Sequence, residues 1–265
     1  MTVALYVLHP MRMLFGISKS GGIGFTELRQ CEQLISQTSA WRALCTAASA
    51  LRAEMRGDDP MDARKYLHVN SWLRVSILRA AKIGLHNGKR LSVLDLGCGT
   101  GLFVHVCRAW GHNALGLDRP LAEMPRTDRA VFEFVNKALD VPVHRATIGD
   151  SHAISLPGTF NLITAWSVCF NRHRSDDEWG AAEWALFLAR AAMHLTREGS
   201  VYLALNPNAD RYGALEYYDD ATLALFRRCG AFPQRGIVSM TRAGIVAGLG
   251  EPTSVLSPPA ADPAS

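Results

Sequence analysis

The chain has 265 residues, of which 48% are hydrophobic and 20% are charged, and its formal net charge is +4. This composition excludes a disordered chain, and so small a basic excess does not require a nucleic-acid partner. The six cysteines contain no C-x-x-C pair, which excludes the common zinc frameworks and predicts reduced thiols in the cytoplasm. No apolar run is long enough to span a membrane, and the short apolar start before His9 does not fit a signal peptide.

The sequence divides into three predicted zones. Residues 1–88 form a helical N-terminal extension, because apolar residues recur there at helical spacing around a turn cluster at 57–60. Residues 89–248 alternate strand-like and helical runs. Residues 249–265 are rich in Pro, Ala and Ser and are predicted to form a disordered tail.

The second zone predicts an α/β fold with a doubly wound sheet. Its predicted strands are 91–96, 113–117, 143–148, 160–165, 200–205, 236–240 and 244–247. Its predicted helices are 102–110, 130–139, 178–195 and 222–229. Strands and helices that alternate at this pitch form a mostly parallel sheet covered on both faces.

The most informative stretch is residues 93–101, which read V-L-D-L-G-C-G-T-G. A buried strand ends there, the glycines permit a tight turn, and the next helix presents its unpaired N–H groups. Asp118 closes the following strand, 17 residues after Gly101, where an acid can accept both hydroxyls of a ribose. The stretch therefore predicts a nucleotide site at the carboxyl end of the sheet.

The charge at this turn favours one kind of nucleotide. A dinucleotide site needs the spacing G-x-G-x-x-G, whereas this chain has G-x-G-x-G with Asp95 two residues before the first glycine. A carboxylate there repels a pyrophosphate by about 1 kcal/mol or more at a partly shielded separation of about 4 Å. It attracts a ligand with a positive ammonium and sulfonium, so we expect S-adenosylmethionine.

Residues 93–118 closely resemble the class I S-adenosylmethionine-dependent methyltransferases. The resemblance implies a Rossmann-like sheet of seven strands whose last strand inserts antiparallel. It also implies that the glycine backbone packs against the methionine part of the cofactor, that Asp95 holds its amino group, and that Asp118 holds the ribose hydroxyls. The cofactor-binding residues expected in this way are Asp95, Gly97, Cys98, Gly99, Gly101, Asp118, Arg119 and Asp150.

The resemblance also bears on four single positions. Asp150 is the candidate for an acid that the family often places near the adenine amino group. Arg119 is placed along the adenine face, although a solvated arginine is an equal alternative. Cys98 is interpreted as a filler of the loop and not as a nucleophile. Asn161 stands where the family usually has an aspartate at the start of the fourth strand.

Residues 166–173 leave the fourth strand, where the acceptor meets the methyl group in this family. Asn171 and His173 are the predicted catalytic residues, because they could orient or deprotonate an acceptor hydroxyl. An ordinary loop histidine is the alternative reading. The acids at 176–178 most simply begin the next helix, so no metal is predicted.

The sequence thus predicts an enzyme that methylates a small-molecule or glycan acceptor. The segment 160–171, with Glu183 and Trp184, is similar to methyltransferases found with bacterial polysaccharide genes. The segment lacks the Asn/Asp-Pro-Pro-Tyr/Phe motif of nucleic-acid amino-methyltransferases and a Pro-Cys pair for cytosine attack. Neither the acceptor nor the oligomeric state follows from the sequence.

Three alternatives stay open. The first is a scaffold that binds S-adenosylmethionine without transferring the methyl group. The second is an RNA methyltransferase, to which a basic set points, although a solvated helix face explains that set equally well. The third, a nicotinamide oxidoreductase, is disfavoured by Asp95 and the glycine spacing. The basic set consists of Arg74, Arg79, Lys82, Lys89 and Arg90.

Overall fold

A computed structural model of the chain describes residues 24–55, 63–87, 89–148, 156, 158–168, 179–206, 217–234 and 236–250. Its helices are α1 (Phe25–Ser36), α2 (Ser39–Glu54), α3 (Val69–Lys82), α4 (Leu102–Ala109), α5 (Arg126–Ala138), α6 (Ala181–Met193), α7 (Asp220–Arg228) and α8 (Arg242–Leu249). Its strands are β1 (Ser92–Leu96), β2 (Asn113–Asp118), β3 (Val143–Arg145), β4 (Phe160–Trp166), β5 (Leu195–Ala204) and β6 (Ile237–Thr241). Short 3-10 helices lie at Ala63–Leu67, Leu85–Asn87 and Leu121–Glu123. None of the helices within these ranges has both the length and the apolar character needed to cross a bilayer.

The strands of the described residues form one six-stranded sheet in the order β3-β2-β1-β4-β5-β6. Parallel pairings join β2 to β3, β1 to β4 and β4 to β5, whereas β6 runs antiparallel to β5. The predicted α/β class, the mostly parallel sheet and the antiparallel last strand are therefore confirmed. The sheet differs from the prediction in having six strands in this part of the chain instead of seven, with β6 at the edge.

The predicted strand at 244–247 is wrong, because these residues belong to helix α8. The Thr241 hydroxyl accepts the N–H of Gly244 at 3.1 Å and caps the helix. A Cβ on Gly244 would lie 2.5 Å from the Cys229 carbonyl oxygen, and one on Gly248 would lie 2.8 Å from that of Arg228. Two glycines one helical turn apart thus let α8 lie against the end of α7. A short apolar run in the sequence does not reveal such packing.

The described residues fold as two compact units. The first holds the described residues up to Arg90 together with Cys98–Arg145, and the second holds Leu91–Gly97 together with those from Ala146 onward. The zone boundaries expected at residues 88 and 248 stay predictions.

In the first unit, the N-terminal helices pack through polar as well as apolar contacts. Trp41 of α2 is buried, and its Nε1–H donates to Asn70 Oδ1 of α3 at 2.8 Å. Arg74 of α3 forms a two-point salt bridge with Glu32 of α1, at 2.8 and 3.0 Å. This pair is partly exposed, so it contributes about 1 kcal/mol or less. The helical character predicted for the extension is confirmed for its described residues.

In the second unit, helix α6 is fixed by a cap and by aromatic packing. The Glu183 carboxylate accepts the N–H of Gly180 at 2.9 Å, which satisfies a donor at the helix start. Trp184 is fully buried, and its ring meets that of Phe226 on α7 edge to face, with 5.2 Å between ring centroids. The Asn161 Oδ1 accepts the N–H of Ser92 at 2.8 Å and ties β4 to the start of β1.

Candidate functional site

The strand order reverses between β1 and β4, both of which belong to the second unit. Doubly wound sheets bind their ligands outside the carboxyl ends of the strands at such a switch point. β1 is buried from Val93 to Leu96 and leads directly into Gly97, and β4 is buried up to Trp166. The residues at the ends of these two strands define the candidate site in the second unit.

Asp95 is an acid buried within β1, with only 3% of its surface exposed. Its Oδ1 accepts the hydroxyl hydrogen of Thr164 on β4, at an oxygen–oxygen distance of 2.8 Å. The two residues are register partners in the sheet, so their side chains lie side by side on one face. A buried carboxylate is costly unless hydrogen bonds satisfy it. Thr164 was missed by the sequence analysis, because a threonine in an apolar run is an ordinary strand residue.

Gly97 occupies a position that only glycine fits. Its φ of +62° lies in the left-handed region, and a Cβ there would lie 2.6 Å from Cγ2 of Val168. The turn after β1 therefore lies directly against the segment that leaves β4. The left-handed φ agrees with the expectation from the sequence that the glycines permit a tight turn.

The turn after β4 is held in a strained conformation at Ser167. Its φ of +58° is rare for a residue with a side chain. The Ser167 N–H donates to the Ala204 carbonyl at 2.7 Å, and its own carbonyl accepts from Asn206 Nδ2 at 2.9 Å. Asn206 follows β5 and is 9% exposed. Strained residues of this kind gather at functional sites, and nothing in the sequence marks Ser167 as one.

Trp166 is part of the core at the end of β4. It is 9% exposed, and its ring lies 5.2 Å, centroid to centroid, from that of Tyr202 on β5. Burial raises the pKa of Tyr202 to about 12, so its phenol is neutral at physiological pH. The tryptophan therefore shapes the strand end by packing.

In the first unit, the rest of the glycine turn leads into helix α4. Gly99 and Gly101 have φ values of +53° and +70°, and α4 begins at Leu102. A Cβ on Gly101 would lie 2.6 Å from Val141 Cγ1 and 2.8 Å from Asn136 Oδ1. The Asn136 Nδ2 also donates to the Gly99 carbonyl at 3.2 Å. Helix α5, which carries Asn136, thus packs against the turn and donates a hydrogen bond to it.

Asp118 ends β2 with both carboxylate oxygens bonded to backbone. Its Oδ2 accepts the N–H of Gly99 at 2.7 Å, and its Oδ1 accepts the N–H of Arg119 at 2.9 Å. Burial raises the pKa of Asp118 above its ordinary value, while these two N–H groups and the charges of Arg145 and Arg119 oppose the rise. A direct hydrogen bond therefore joins the glycine turn to Asp118, the acid that is predicted to bind the ribose hydroxyls.

Two further predicted residues of the first unit contribute mainly through packing and backbone. Cys98 is buried and packs against Gly116 of β2, where a Cβ would lie 2.5 Å from its Sγ. Its N–H donates to the Leu117 carbonyl at 3.1 Å, in keeping with its reading as loop filler. The Arg119 side chain is exposed, and the Arg119 carbonyl accepts from Arg145 Nη1 at 3.5 Å. Asp150, Asn171 and His173 lie outside the described residues.

An aromatic pair flanks the turn in the first unit. Phe132 of α5 reaches towards Gly99, with its ring 3.6 Å from where a Cβ would stand. The Tyr66 ring meets the Phe132 ring edge to face, with 5.6 Å between centroids. Tyr66 belongs to the helical extension, so that zone contributes a wall beside the glycine turn.

Comparison with known proteins identifies the family. A family profile described as "Methyltransferase domain" matches residues 66–234, more than half of the chain. The chain belongs to this methyltransferase family. S-adenosylmethionine is the cofactor expected for it, as the resemblance in residues 93–118 also implies.

Several solved structures resemble parts of the chain. CalS10, an amino pentose methyltransferase from Micromonospora echinaspora, is 19% identical, with 57% of this chain and 59% of that one covered and a TM-score of 0.39. An O-methyltransferase family protein from Burkholderia thailandensis is 14% identical, with 67% and 58% covered and a TM-score of 0.44. An S-adenosylmethionine-dependent methyltransferase from Clostridium acetobutylicum is 18% identical, with 50% and 49% covered and a TM-score of 0.37. The chain thus spans about half to three fifths of the length of these structures. No curated protein matches the chain.

The residues fit S-adenosylmethionine by the chemistry of their donors and acceptors. An ionised carboxylate has about four lone-pair sites, so each Asp118 oxygen can accept a ribose hydroxyl besides its backbone N–H. Asp95 offers a buried acid suited to the cofactor's ammonium group, and the turn is bare at Gly97 and Gly99. Within the described ranges, no group of three His, Cys, Asp or Glu side chains could hold a metal ion.

Proposed function

We propose that the protein transfers a methyl group from S-adenosylmethionine to a small-molecule or sugar-containing acceptor. The observation that carries this proposal is the bond between the Gly99 N–H and the Asp118 carboxylate. A carboxylate fixed by the turn's own backbone is prepared to receive two neighbouring hydroxyls, as an adenosine presents them. The family match to residues 66–234 supports the same activity.

Each residue of the turn has a role in this proposal. Asp118 accepts the ribose hydroxyls, and the bare backbone at Gly97, Gly99 and Gly101 packs against the methionine part. Asp95 attracts the ammonium group. When bound, S-adenosylmethionine supplies the methyl group on a sulfonium that a nucleophile displaces in line.

In the chemical step, the protein mainly positions the acceptor and excludes water. Asn171 and His173 are proposed to orient the acceptor and to remove its proton. Both follow the strained turn at Ser167, which fixes the exit of the chain from β4. A neutral imidazole is a suitable base near neutral pH. Such a base is needed only where the acceptor must lose a proton early, as a hydroxyl does.

The described residues give little support to an RNA acceptor. Arg74 of the predicted basic set is engaged with Glu32 in a two-point salt bridge. Lys82 is half-buried, and burial lowers its pKa. Arg74 and Lys82 are therefore less available to a phosphate backbone than fully solvated charges would be. The five described cysteines are thiols, in keeping with the cytoplasmic location that we propose.

Release of S-adenosylhomocysteine tests the proposed activity. Purified full chain is incubated with S-adenosylmethionine and a panel of amino sugars, hydroxylated sugars, phenols and a short RNA duplex. We expect turnover with a sugar or a small hydroxyl or amine acceptor. For a hydroxyl acceptor, we expect His173→Ala to reduce turnover and to remove its dependence on pH near 7, with no change in cofactor affinity.

The alternatives give other outcomes in the same assay. Turnover with the RNA alone would replace the small-molecule proposal by the RNA methyltransferase. Binding of S-adenosylmethionine without turnover across the panel would favour the scaffold that binds the cofactor but transfers nothing.

A further inference from the structure

Thr164 is a buried polar side chain in direct contact with Asp95. It lies on β4 between Ile163 and Ala165, in a strand that is apolar apart from it and Asn161. It is 0% exposed. Valine has the same shape and would suit this buried strand at least as well. The hydroxyl, not the packing, is therefore what distinguishes threonine here.

The hydroxyl has one hydrogen and two nearby acceptors. The distance from Thr164 Oγ1 to Asp95 Oδ1 is 2.8 Å, and that to the Leu94 carbonyl oxygen is 3.4 Å. The shorter contact has the length of an ordinary O–H···O hydrogen bond, and its acceptor is a carboxylate. The hydroxyl therefore donates its hydrogen to Asp95. This hydrogen bond fixes one carboxylate oxygen, and with it the rotation of the carboxylate about its χ2 angle.

The register of the sheet places Thr164 directly beside Asp95. The register places Asp95, Thr164, Tyr202 and Ser239 in a line across β1, β4, β5 and β6. Tyr202, the next member after Thr164, is occupied in aromatic packing with Trp166. Thr164 is thus the member of this row that lies next to Asp95 and donates a hydrogen bond to it.

We propose that Thr164 is a positioning residue that aims the Asp95 carboxylate at the ammonium group of S-adenosylmethionine. This inference rests on the proposed function, because it assumes that Asp95 receives that group. It goes further in assigning the selectivity for the amino-acid part of the cofactor to a hydroxyl on a neighbouring strand.

A comparison of two ligands tests the inference. S-adenosylmethionine carries the ammonium group, whereas 5′-methylthioadenosine keeps the adenosine and lacks the amino-acid part. Both are titrated by calorimetry into wild type, Thr164→Val and Thr164→Ser. We expect Thr164→Val to lower the affinity for S-adenosylmethionine about tenfold, which is the magnitude of one lost hydrogen bond to a charged group. We expect the same variant to bind 5′-methylthioadenosine with unchanged affinity. We expect Thr164→Ser to keep most of the wild-type affinity for S-adenosylmethionine.

The chain offers a matched control for the change from threonine to valine. Thr222 of α7 is also 0% exposed, and its buried hydroxyl has no hydrogen-bond partner among the described residues. Thr222→Val therefore removes the same group from the same unit without touching Asp95, and we expect both ligands to bind as they do to wild type. Thr164→Ala provides a second removal of the hydroxyl if Thr164→Val does not fold.

The results separate this inference from the proposed function. Unchanged S-adenosylmethionine affinity in folded Thr164→Val or Thr164→Ala would overturn the inference, and so would equal weakening of both ligands. In either case, binding by wild type leaves the proposed function standing. A wild-type chain that binds neither ligand would overturn the proposed function itself.

Discussion

The two acids that are proposed to bind the cofactor are held in different ways, each within its own unit. Asp118 is half-buried, and two backbone N–H groups of its own unit fix its oxygens. Asp95 is almost fully buried, and the hydroxyl of Thr164 on the next strand fixes one of its oxygens. The first arrangement depends on the course of the backbone through the glycine turn. The second involves a side-chain hydroxyl on a neighbouring strand, so we expect the two acids to respond to different kinds of substitution.

Loss of the Asp118 carboxylate should have the largest effect on cofactor binding. Asp118→Ala removes the proposed acceptor for two ribose hydroxyls, and each hydrogen bond to a charged group is worth about 1.5–3 kcal/mol. We expect S-adenosylmethionine affinity to fall by roughly a hundredfold or more in a calorimetric titration. Asp219→Ala is the matched control, because Asp219 only caps α7 through the N–H of Thr222. Its loss should lower stability by about 1 kcal/mol and leave binding unchanged. Equal binding by Asp118→Ala and wild type would remove Asp118 from the site.

A substitution in the glycine turn should act through the backbone that holds Asp118. In Gly101→Ala, a Cβ meets Val141 and Asn136 at 2.6–2.8 Å in a left-handed conformation. We expect the free energy of unfolding to fall by about 3 kcal/mol or more. Gly111→Ala, with φ +88° and no neighbour within 4 Å, should show only the backbone strain, about 1 kcal/mol. Equal losses in urea unfolding would show that packing around the turn does not matter.

The raised pKa of Asp118 should make adenosine binding depend on pH. Burial raises this pKa, so the carboxyl takes up a proton at a higher pH than an exposed aspartate does. The protonated form is a poorer acceptor, so 5′-methylthioadenosine affinity should fall as pH drops through the raised pKa, by up to about tenfold per pH unit. Without ligand the sign is opposite: ionisation of Asp118 costs folding stability, and this cost vanishes below the ordinary pKa. In Asp118→Asn both dependences should disappear, and their persistence there would assign them to another group.

The smallest effect should come from the side chain within the turn. Cys98 packs against Gly116, and its backbone, not its thiol, takes part in the turn. We expect Cys98→Ala to lower the free energy of unfolding by about 1 kcal/mol and to change cofactor affinity by less than about threefold. A large loss of turnover in this variant, with binding intact, would instead give the thiol a chemical role.

Much of the first acid's environment could be predicted from the sequence. The buried run before Gly97, the three spaced glycines and an acid closing the next strand each depend on local rules of strand, turn and helix. The structure bears these rules out in the left-handed glycines and in the bond from Gly99 to Asp118. The same local rules also predict most of the alternation of strands and helices.

The second acid's environment could not be predicted in this way. The Thr164 contact depends on the register of β1 against β4, across 69 residues of chain. The strained φ of Ser167 depends on hydrogen bonds to Ala204 and Asn206, which lie almost 40 residues further along the chain. The sequence predicts a strand at 244–247 because the fit of α8 against α7 depends on two glycines that each pack on a carbonyl at the end of α7. Each of these features is set by tertiary contacts that one sequence does not display.

The proposal that the two acids hold different parts of the cofactor can be tested directly by ligand titration. Wild type, Asp95→Asn and Asp118→Ala are each titrated with S-adenosylmethionine, 5′-methylthioadenosine and NADH. We expect wild type to bind the two adenosyl ligands and not NADH, Asp95→Asn to lose affinity for S-adenosylmethionine alone, and Asp118→Ala to lose affinity for both. Binding of NADH in place of S-adenosylmethionine, or equal loss of both adenosyl ligands in Asp95→Asn, would contradict this assignment.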